Sequence, residues 1–79
     1  MSPADIKAWV VLGETYAKRA DDTVDHALAL AWLVLAEHCM YQWSGDRGGP
    51  TDPMVRLAEQ LTGENGADSF QRERRLEVP

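Results

Sequence analysis

The spacing of hydrophobic residues predicts three helices in this chain. Between residues 3 and 20 the apolar residues recur every three or four positions, which is typical of a helix with one buried face. Ser2 can cap its first turn, and Pro3 suits its first helical position, so we expect the helix to begin there. Gly13 lies on the apolar side, where a glycine costs helix propensity and predicts the close approach of a neighbouring helix.

The second predicted helix, from about Thr23 to Trp43, is apolar on nearly all sides. It contains ten consecutive apolar residues, from Ala27 to Ala36. A surface helix needs only one apolar stripe, so this helix must be covered from more than one direction. The short polar connection before it predicts an antiparallel hairpin with the first helix. Because 79 residues offer little material to cover such a helix twice, we expect a second chain to do so.

Two apolar faces of this second helix carry residues of different size. We assign the face with medium-sized residues to the internal core, and it consists of Val24, Leu28, Ala31, Leu35 and Cys39. The predicted dimer or partner interface lies about 100° away and consists of Ala29, Trp32, Leu33, Ala36, Met40 and Trp43. The two alanines of this interface are seven residues apart and would let helices approach closely. We expect an antiparallel homodimer through it; the alternative is a monomer whose other helices cover both faces.

A third, shorter helix is predicted after a glycine-rich loop. It extends from Asp52 to a stop at Gly63, and its apolar stripe must dock to stabilise it: Met54, Leu57, Ala58 and Leu61. The rest of the sequence is polar and highly charged, which is typical of a disordered tail. We therefore expect a helical domain over residues 1–63 and a charged C-terminal tail over residues 64–79. The predicted fold is all-α, a helical hairpin plus a short third helix.

Charge and cysteine content narrow the range of functions. The formal net charge of −5 disfavours nucleic-acid binding, which depends on Lys and Arg to neutralise phosphates. The lone cysteine, Cys39, cannot form an internal disulfide, and the first residues do not resemble a secretion signal, so we expect a cytoplasmic protein. The ten-residue apolar run is well short of the ~20 residues that cross a bilayer. We therefore expect contact with other proteins rather than with a membrane.

No catalytic or metal site is predicted. Cys39 follows His38, but neighbours on a helix point about 100° apart, and Cys39 falls on the core face. His26 and His38 are twelve residues apart on one helix, about 18 Å, which is too far to share a metal ion. The glycine-rich loop lacks the Lys-Ser/Thr pair of a phosphate-binding loop. We therefore expect no enzymatic activity, no cofactor and no metal.

Five further residues are candidates for contact with a partner: Tyr41, Arg47, Arg72, Arg74 and Arg75. Arg47 lies in the glycine-rich loop close to Trp43, and arginine and tryptophan are both enriched at interface hot spots. The three other arginines belong to the predicted tail.

A different interpretation comes from residues 54–63, MVRLAEQLTG. This segment resembles the first helix of a helix-turn-helix, with Ala58 at its tightly packed position, and the basic SFQRERRLE would follow as recognition helix. Thr62 occupies the expected glycine position, and the connection ENGADS is longer than the usual three to four residues. The resemblance implies a small DNA-binding transcriptional regulator, which we keep as the alternative function.

A resemblance of type concerns the whole chain. It is short, alanine-rich, acidic and helical, uses Arg more than Lys, and presents an apolar contact face without an active site. In these respects it resembles small bacteriophage proteins that bind and inhibit host proteins, such as inhibitors of quorum-sensing regulators and of the type IV pilus assembly ATPase. The resemblance implies a modulator that occludes a partner protein stoichiometrically. The implied partner is a DNA-binding transcription factor or an ATPase.

Overall fold

The computed structural model describes residues 1–45 and 48–77 and confirms the all-α prediction. Four helices follow one another along the chain: α1 (Pro3–Asp22), α2 (His26–Ser44), α3 (Asp52–Thr62) and α4 (Gly66–Glu77). Within these ranges no residue is in a β-strand. The fold therefore has one helix more than the sequence predicts.

The start of α1 is fixed by a reciprocal pair of hydrogen bonds. The Asp5 backbone N–H donates to the Ser2 hydroxyl at 3.2 Å, and the Ser2 backbone N–H donates to the Asp5 carboxylate at 3.3 Å. This capping box satisfies two amides that have no partner within the helix, and Pro3 lacks an amide that would need one. The predicted start of the first helix is confirmed.

The second helix begins later than its sequence predicts. Asp25 is its N-cap, because the Asp25 carboxylate accepts the Leu28 backbone N–H at 2.9 Å, and helical residues start at His26. Val24 consequently lies in the connection and is 94% exposed, so its assignment to the core face is wrong. The helix ends at Ser44, and Gly45 follows as its C-cap with a φ of 79°, the left-handed conformation that glycine adopts without strain.

The hairpin of α1 and α2 forms the centre of the core. Its most deeply buried large side chains are Leu12, Tyr16, Leu35 and Cys39. Gly13 makes the close approach possible: a Cβ atom there would lie 3.3 Å from the Cys39 Cβ and 3.6 Å from a backbone oxygen of α2. The predicted close contact at this glycine is confirmed.

The charged C-terminal segment, which on its own composition would be a disordered tail, forms α4 and packs against α1. Phe70 contributes a ring that stacks on Trp9 of α1, with 4.1 Å between centroids and an interplanar angle of 14°. Arg74 donates to the Asp5 carboxylate. One stacked aromatic pair and a few polar contacts thus order a segment whose composition alone indicates disorder.

The arrangement of the helices leaves much surface uncovered. The main contacts of α3 are with α2, and those of α4 are with α1, so neither outer helix covers the whole hairpin. The molecule is flat, with extents of 37 × 26 × 18 Å. Its accessible surface is 5339 Å², compared with about 4,800 Å² expected for a monomer of 8.8 kDa. Of the helices described, none has the length and apolar character needed to span a membrane.

Candidate functional site

One apolar groove, which we call the tryptophan groove, lies between α1 and α2 on the side that α3 and α4 leave open. It encloses about 300 Å³ and is lined by Trp9, Val10, Gly13, Glu14, Ala17, Ala36, Met40 and Trp43. Met40 and Trp43 are 44% and 41% exposed, and they lie together in this groove, so they belong to an exposed apolar patch rather than being isolated exposed side chains. Glu14 supplies the single charge among these eight lining residues.

The predicted interface coincides with this groove in part. Ala36, Met40 and Trp43 line it, while Leu33 is exposed one turn earlier on α2 and Ala29 is half-buried. These five positions are spaced alternately four and three residues apart, which is the spacing of a helix–helix seam. The structure therefore leaves an open seam along α2 in the region that the sequence predicts.

Trp32 does not belong to the open seam. It is 8% exposed, its ring centroid lies 5.6 Å from that of Tyr16, and the Arg19 guanidinium covers it at 5.0 Å. The sequence prediction placed Trp32 on the interface because the two predicted faces of α2 were treated as separate. In the structure α1 packs across the boundary between them, and it covers Trp32 together with Leu35.

A second groove, which we call the aliphatic groove, lies between α2 and α3. It encloses about 180 Å³ and is lined by Ala27, Leu30, Ala31, Val34, Met54, Leu57, Ala58 and Leu61. Four of these residues, Leu30, Met54, Leu57 and Leu61, are between 49% and 62% exposed. No charged or hydrogen-bonding side chain belongs to this lining.

The aliphatic groove was missed at the level of sequence. The sequence predicts that α3 docks, and in the structure its buried residues are Val55 and Ala58, while Met54, Leu57 and Leu61 stay exposed. The sequence contains an indication of this groove. Together with the buried Val55 and Ala58, the apolar residues Met54, Leu57 and Leu61 make the apolar face of α3 wider than one neighbouring helix can cover.

The other predicted contact residues have different environments. Tyr41 packs on the loop, since a Cβ atom at Gly49 would lie 2.6 Å from the Tyr41 Cγ. Arg74 is occupied by Asp5, and its hydrogen bond holds the pKa of that carboxyl below its usual value. Arg72 and Arg75 are exposed on α4. Arg47 lies outside the described residues.

A polar cluster centred on Glu64 joins α1 to the start of α4. The Glu64 carboxylate accepts hydrogen bonds from Arg19 at 2.8 Å, Ser69 at 2.9 Å and Tyr16 at 3.3 Å. Burial raises the pKa of this carboxyl, but the three hydrogen bonds and the charge of Arg19 outweigh burial and lower it overall. Burial also raises the pKa of the Tyr16 phenol, which stays a neutral donor. The cluster therefore acts as a structural tie between the helices.

The reactive side chains are poorly placed for chemistry. Cys39 is almost completely buried, and burial raises the pKa of its thiol to about 12, so it is not a thiolate at neutral pH. His38 meets the Trp9 ring edge-on at 6.2 Å, and burial lowers its pKa. Across residues 1–45 and 48–77, no group of three or more His, Cys, Asp or Glu side chains is arranged to hold a metal ion.

The segment that resembles a helix-turn-helix has a shorter turn than its sequence indicates. Only Gly63, Glu64 and Asn65 separate α3 from α4, so the expectation of a longer connection is wrong. The Asn65 side chain accepts the Asp68 backbone N–H at 3.2 Å and thereby starts α4 early. However, α4 packs mainly on α1, whereas the two helices of that motif pack on each other.

Comparison with protein-family models, with curated proteins and with solved structures finds no match to this chain. Its function is therefore inferred from its own geometry. That geometry consists of an apolar central helix, α2, with one open groove on each side.

Proposed function

We propose that this chain is a non-enzymatic protein-binding modulator that works as a homodimer and occludes a surface of a partner protein. The observation that carries the proposal is the pair of open apolar grooves beside α2. Large apolar surfaces that remain exposed in an isolated chain mark sites of contact with other proteins. The proposed modulator acts in the cytoplasm and needs neither cofactor nor metal.

Self-association is assigned to the tryptophan groove. Its seam places Ala36 between Met40 and Leu33, so two α2 helices related by a two-fold axis can approach closely. Trp43 supplies a partly exposed aromatic anchor at one end, which is the residue type most enriched among interface hot spots. A standard interface buries about 800 Å² per partner, and the broad face of the molecule, whose extents are 37 × 26 Å, is large enough to accommodate one.

The finer part of the proposal follows the resemblance to bacteriophage inhibitors of host proteins. Such a protein would bind a transcription factor or an ATPase in a fixed ratio and block the surface that its target needs. The fold supports this mode of action, because a folded helical hairpin presents its apolar surface without first having to order a disordered segment. No chemical step is required.

The proposal is tested by capturing the partner protein with the wild-type chain and with variants of its exposed leucines. Tagged wild-type protein is incubated with bacterial lysate, with and without nuclease, and the bound proteins are identified by mass spectrometry. The proposal predicts a nuclease-resistant protein at near-stoichiometric yield with the wild type. It predicts its loss with a Leu57→Ser and Leu61→Ser double variant, and its retention with Leu76→Ser, a control at a leucine that is 74% exposed on α4.

DNA binding remains the second candidate because of two observations. The turn between α3 and α4 has the three-residue length that the motif uses, and Arg72 and Arg75 are exposed on α4. This function predicts that nucleic acid is recovered in the same experiment and that nuclease removes the bound material. It also predicts that Arg72→Ala and Arg75→Ala each reduce the salt dependence of binding.

A further inference from the structure

We propose that α4 regulates self-association at the tryptophan groove, because Phe70 of α4 holds Trp9 in the position in which Trp9 forms part of the groove wall. This regulation rests on the proposed function, in which the groove binds a second copy of the chain. It adds a conformational control: the chain self-associates while α4 is docked on α1, and it self-associates more weakly when α4 is released.

Trp9 takes part in two contacts at once. Its side chain lines the tryptophan groove, and its ring stacks on Phe70 of α4 with 4.1 Å between centroids. The His38 ring of α2 meets Trp9 edge-on at 6.2 Å. All eight residues that line the groove belong to α1 and α2. Trp9 therefore connects the groove to a helix that lies outside its lining.

The stacked ring restricts the positions that Trp9 can take. The Trp9 side chain is half-buried, and it can rotate between side-chain rotamers unless its neighbours hold it. Phe70 covers one face of the indole at an interplanar angle of 14°. When α4 leaves, this face loses its neighbour and the groove wall gains conformational freedom. A second chain must then order the wall as it binds, and ordering a side chain on binding weakens association.

The contacts that dock α4 are few, and several of them are polar. Besides the Phe70 ring, Arg74 donates to the Asp5 carboxylate, and the Ser69 hydroxyl donates at 2.9 Å to the Glu64 carboxylate, which also accepts hydrogen bonds from α1. The helix has 12 residues, a length at which an isolated helix is marginal in water. Release of α4 is therefore an opening of one helix, which can occur without unfolding of the hairpin.

The coupling between docking and self-association acts in both directions. If docking of α4 strengthens self-association, self-association must strengthen docking by the same factor. A chain within the dimer therefore opens α4 less often than a monomeric chain does. This consequence can be measured in the unmodified protein, since dilution changes the fraction of dimer and leaves the sequence as it is.

The first test is amide hydrogen exchange of the wild type at two concentrations, one well above and one well below the dissociation constant of the dimer. We expect residues 66–77 to exchange about three- to tenfold more slowly at the higher concentration, which is the effect of ordering one side chain on binding. Residues 52–62 of α3 are the internal reference. Equal slowing of α3 and α4 would reflect stabilisation of the whole chain and would overturn the proposal.

The second test compares dimer dissociation constants of variants by sedimentation equilibrium, after circular dichroism has shown that each is folded. Phe70→Ala should raise the constant about three- to tenfold. Arg74→Ala leaves the stacked rings in place and should raise it by a smaller factor. Two controls should dimerise like the wild type: Phe70→Tyr, which keeps the stacked ring, and Leu76→Ala, at a side chain that is 74% exposed on the same helix. Should Phe70→Ala fail to fold, Arg74→Ala and the concentration dependence decide.

The outcomes separate this regulation from the proposed function. A monomeric wild type contradicts self-association itself, and regulation by α4 fails with it. If the wild type and Phe70→Ala dimerise with the same constant, or if α4 exchanges at the same rate at both concentrations, regulation by α4 is wrong and self-association stands. Tighter self-association of Phe70→Ala would also overturn the proposal, because the released helix would then have uncovered a contact surface.

Discussion

At the scale of single residues, glycine and histidine show how local chemistry sets the packing of the hairpin. Gly13 allows α1 and α2 to approach until a Cβ atom would be only 3.3 Å from Cys39. His38 fills the space beside Trp9, where burial lowers its pKa more than the nearby charges of Glu59 and Asp52 raise it. Gly13 is a small residue and His38 a polar one in an apolar environment. Substitution of the first should affect packing, and protonation of the second should affect stability.

Replacing Gly13 with valine should separate the two central helices. The added methyl groups have no space beside Cys39, and overpacking of this kind costs about 1–3 kcal/mol of the free energy of unfolding. Urea denaturation followed by circular dichroism measures the loss. Lys18→Val, at an exposed position of the same helix, is the control and should change the stability by less than about 0.5 kcal/mol. Equal effects of the two substitutions would show that the helices do not approach at Gly13.

Acidification should destabilise the fold through His38. The folded chain resists protonation of this residue, while the unfolded chain takes up the proton near the ordinary pKa of 6.5, so the unfolded state binds more protons below that pH. The free energy of unfolding should therefore be highest above pH 6.5 and fall as the pH decreases towards 5. The carboxyl pKa values that are lowered in the fold, those of Asp5 and Glu64, act only at still lower pH.

His38→Gln tests the assignment of this pH dependence. Denaturation midpoints at several pH values between 7.5 and 5 should be nearly constant in this variant and should still decline in His26→Gln, which changes an exposed histidine. A decline that persists in His38→Gln and disappears in His26→Gln would contradict the burial of His38.

At the scale of helices, α4 differs from the other three in what stabilises it. Its packing depends on Phe70 against Trp9, on the Glu64 cluster and on the ion pair of Arg74 with Asp5. The Glu59 carboxylate also accepts the Gly66 backbone N–H at 2.7 Å, where a negative charge suits the beginning of a helix. With one large apolar contact, α4 should be the helix that opens most easily.

Phe70→Ala should release α4 while the hairpin stays folded. Phe→Ala substitutions at buried sites cost about 3–5 kcal/mol, and because Phe70 is half-buried we expect the lower end of this range. The loss should concentrate in α4, which the stacked ring joins to α1. Amide hydrogen exchange should show faster exchange in residues 66–77 than in the hairpin. Leu76→Ala is the matched control on the same helix and should leave exchange unchanged, since its side chain is exposed. Uniform acceleration across all helices would contradict an independently opening α4.

The sequence predicted the helices whose signals are local. Capping by Ser2 and Pro3, the apolar stripe of α1 and the limits of α3 are all encoded in neighbouring residues, and the structure agrees with them. The helix α4 was missed because its order depends on Trp9, which is 61 residues away from Phe70 along the chain. Trp32 and the aliphatic groove were misjudged for the same reason, since the position of α1 and α3 around α2 is a tertiary property.

At the scale of the whole molecule, the main feature is the apolar surface that the four helices leave exposed in the two grooves. An isolated chain with these two grooves exposes about a tenth more surface than a typical monomer of its mass. Burying such surface is favourable by about 25 cal/mol per Å². This gain favours association and opposes the entropy that is lost when two molecules bind. We therefore propose a second copy of the chain at the tryptophan groove and a partner protein at the aliphatic groove.

Sedimentation equilibrium of the purified chain tests this account most directly, with Met40→Glu as the interface variant and Arg72→Glu, at an exposed position of α4 outside both grooves, as the control. We predict that the wild type and Arg72→Glu sediment with twice the 8.8 kDa mass of the chain at micromolar concentration. Met40→Glu should be a folded monomer, because it places a charge in the tryptophan groove without changing the core. A wild type that is monomeric at high concentration, or a Met40→Glu variant that remains dimeric, would contradict self-association through this groove.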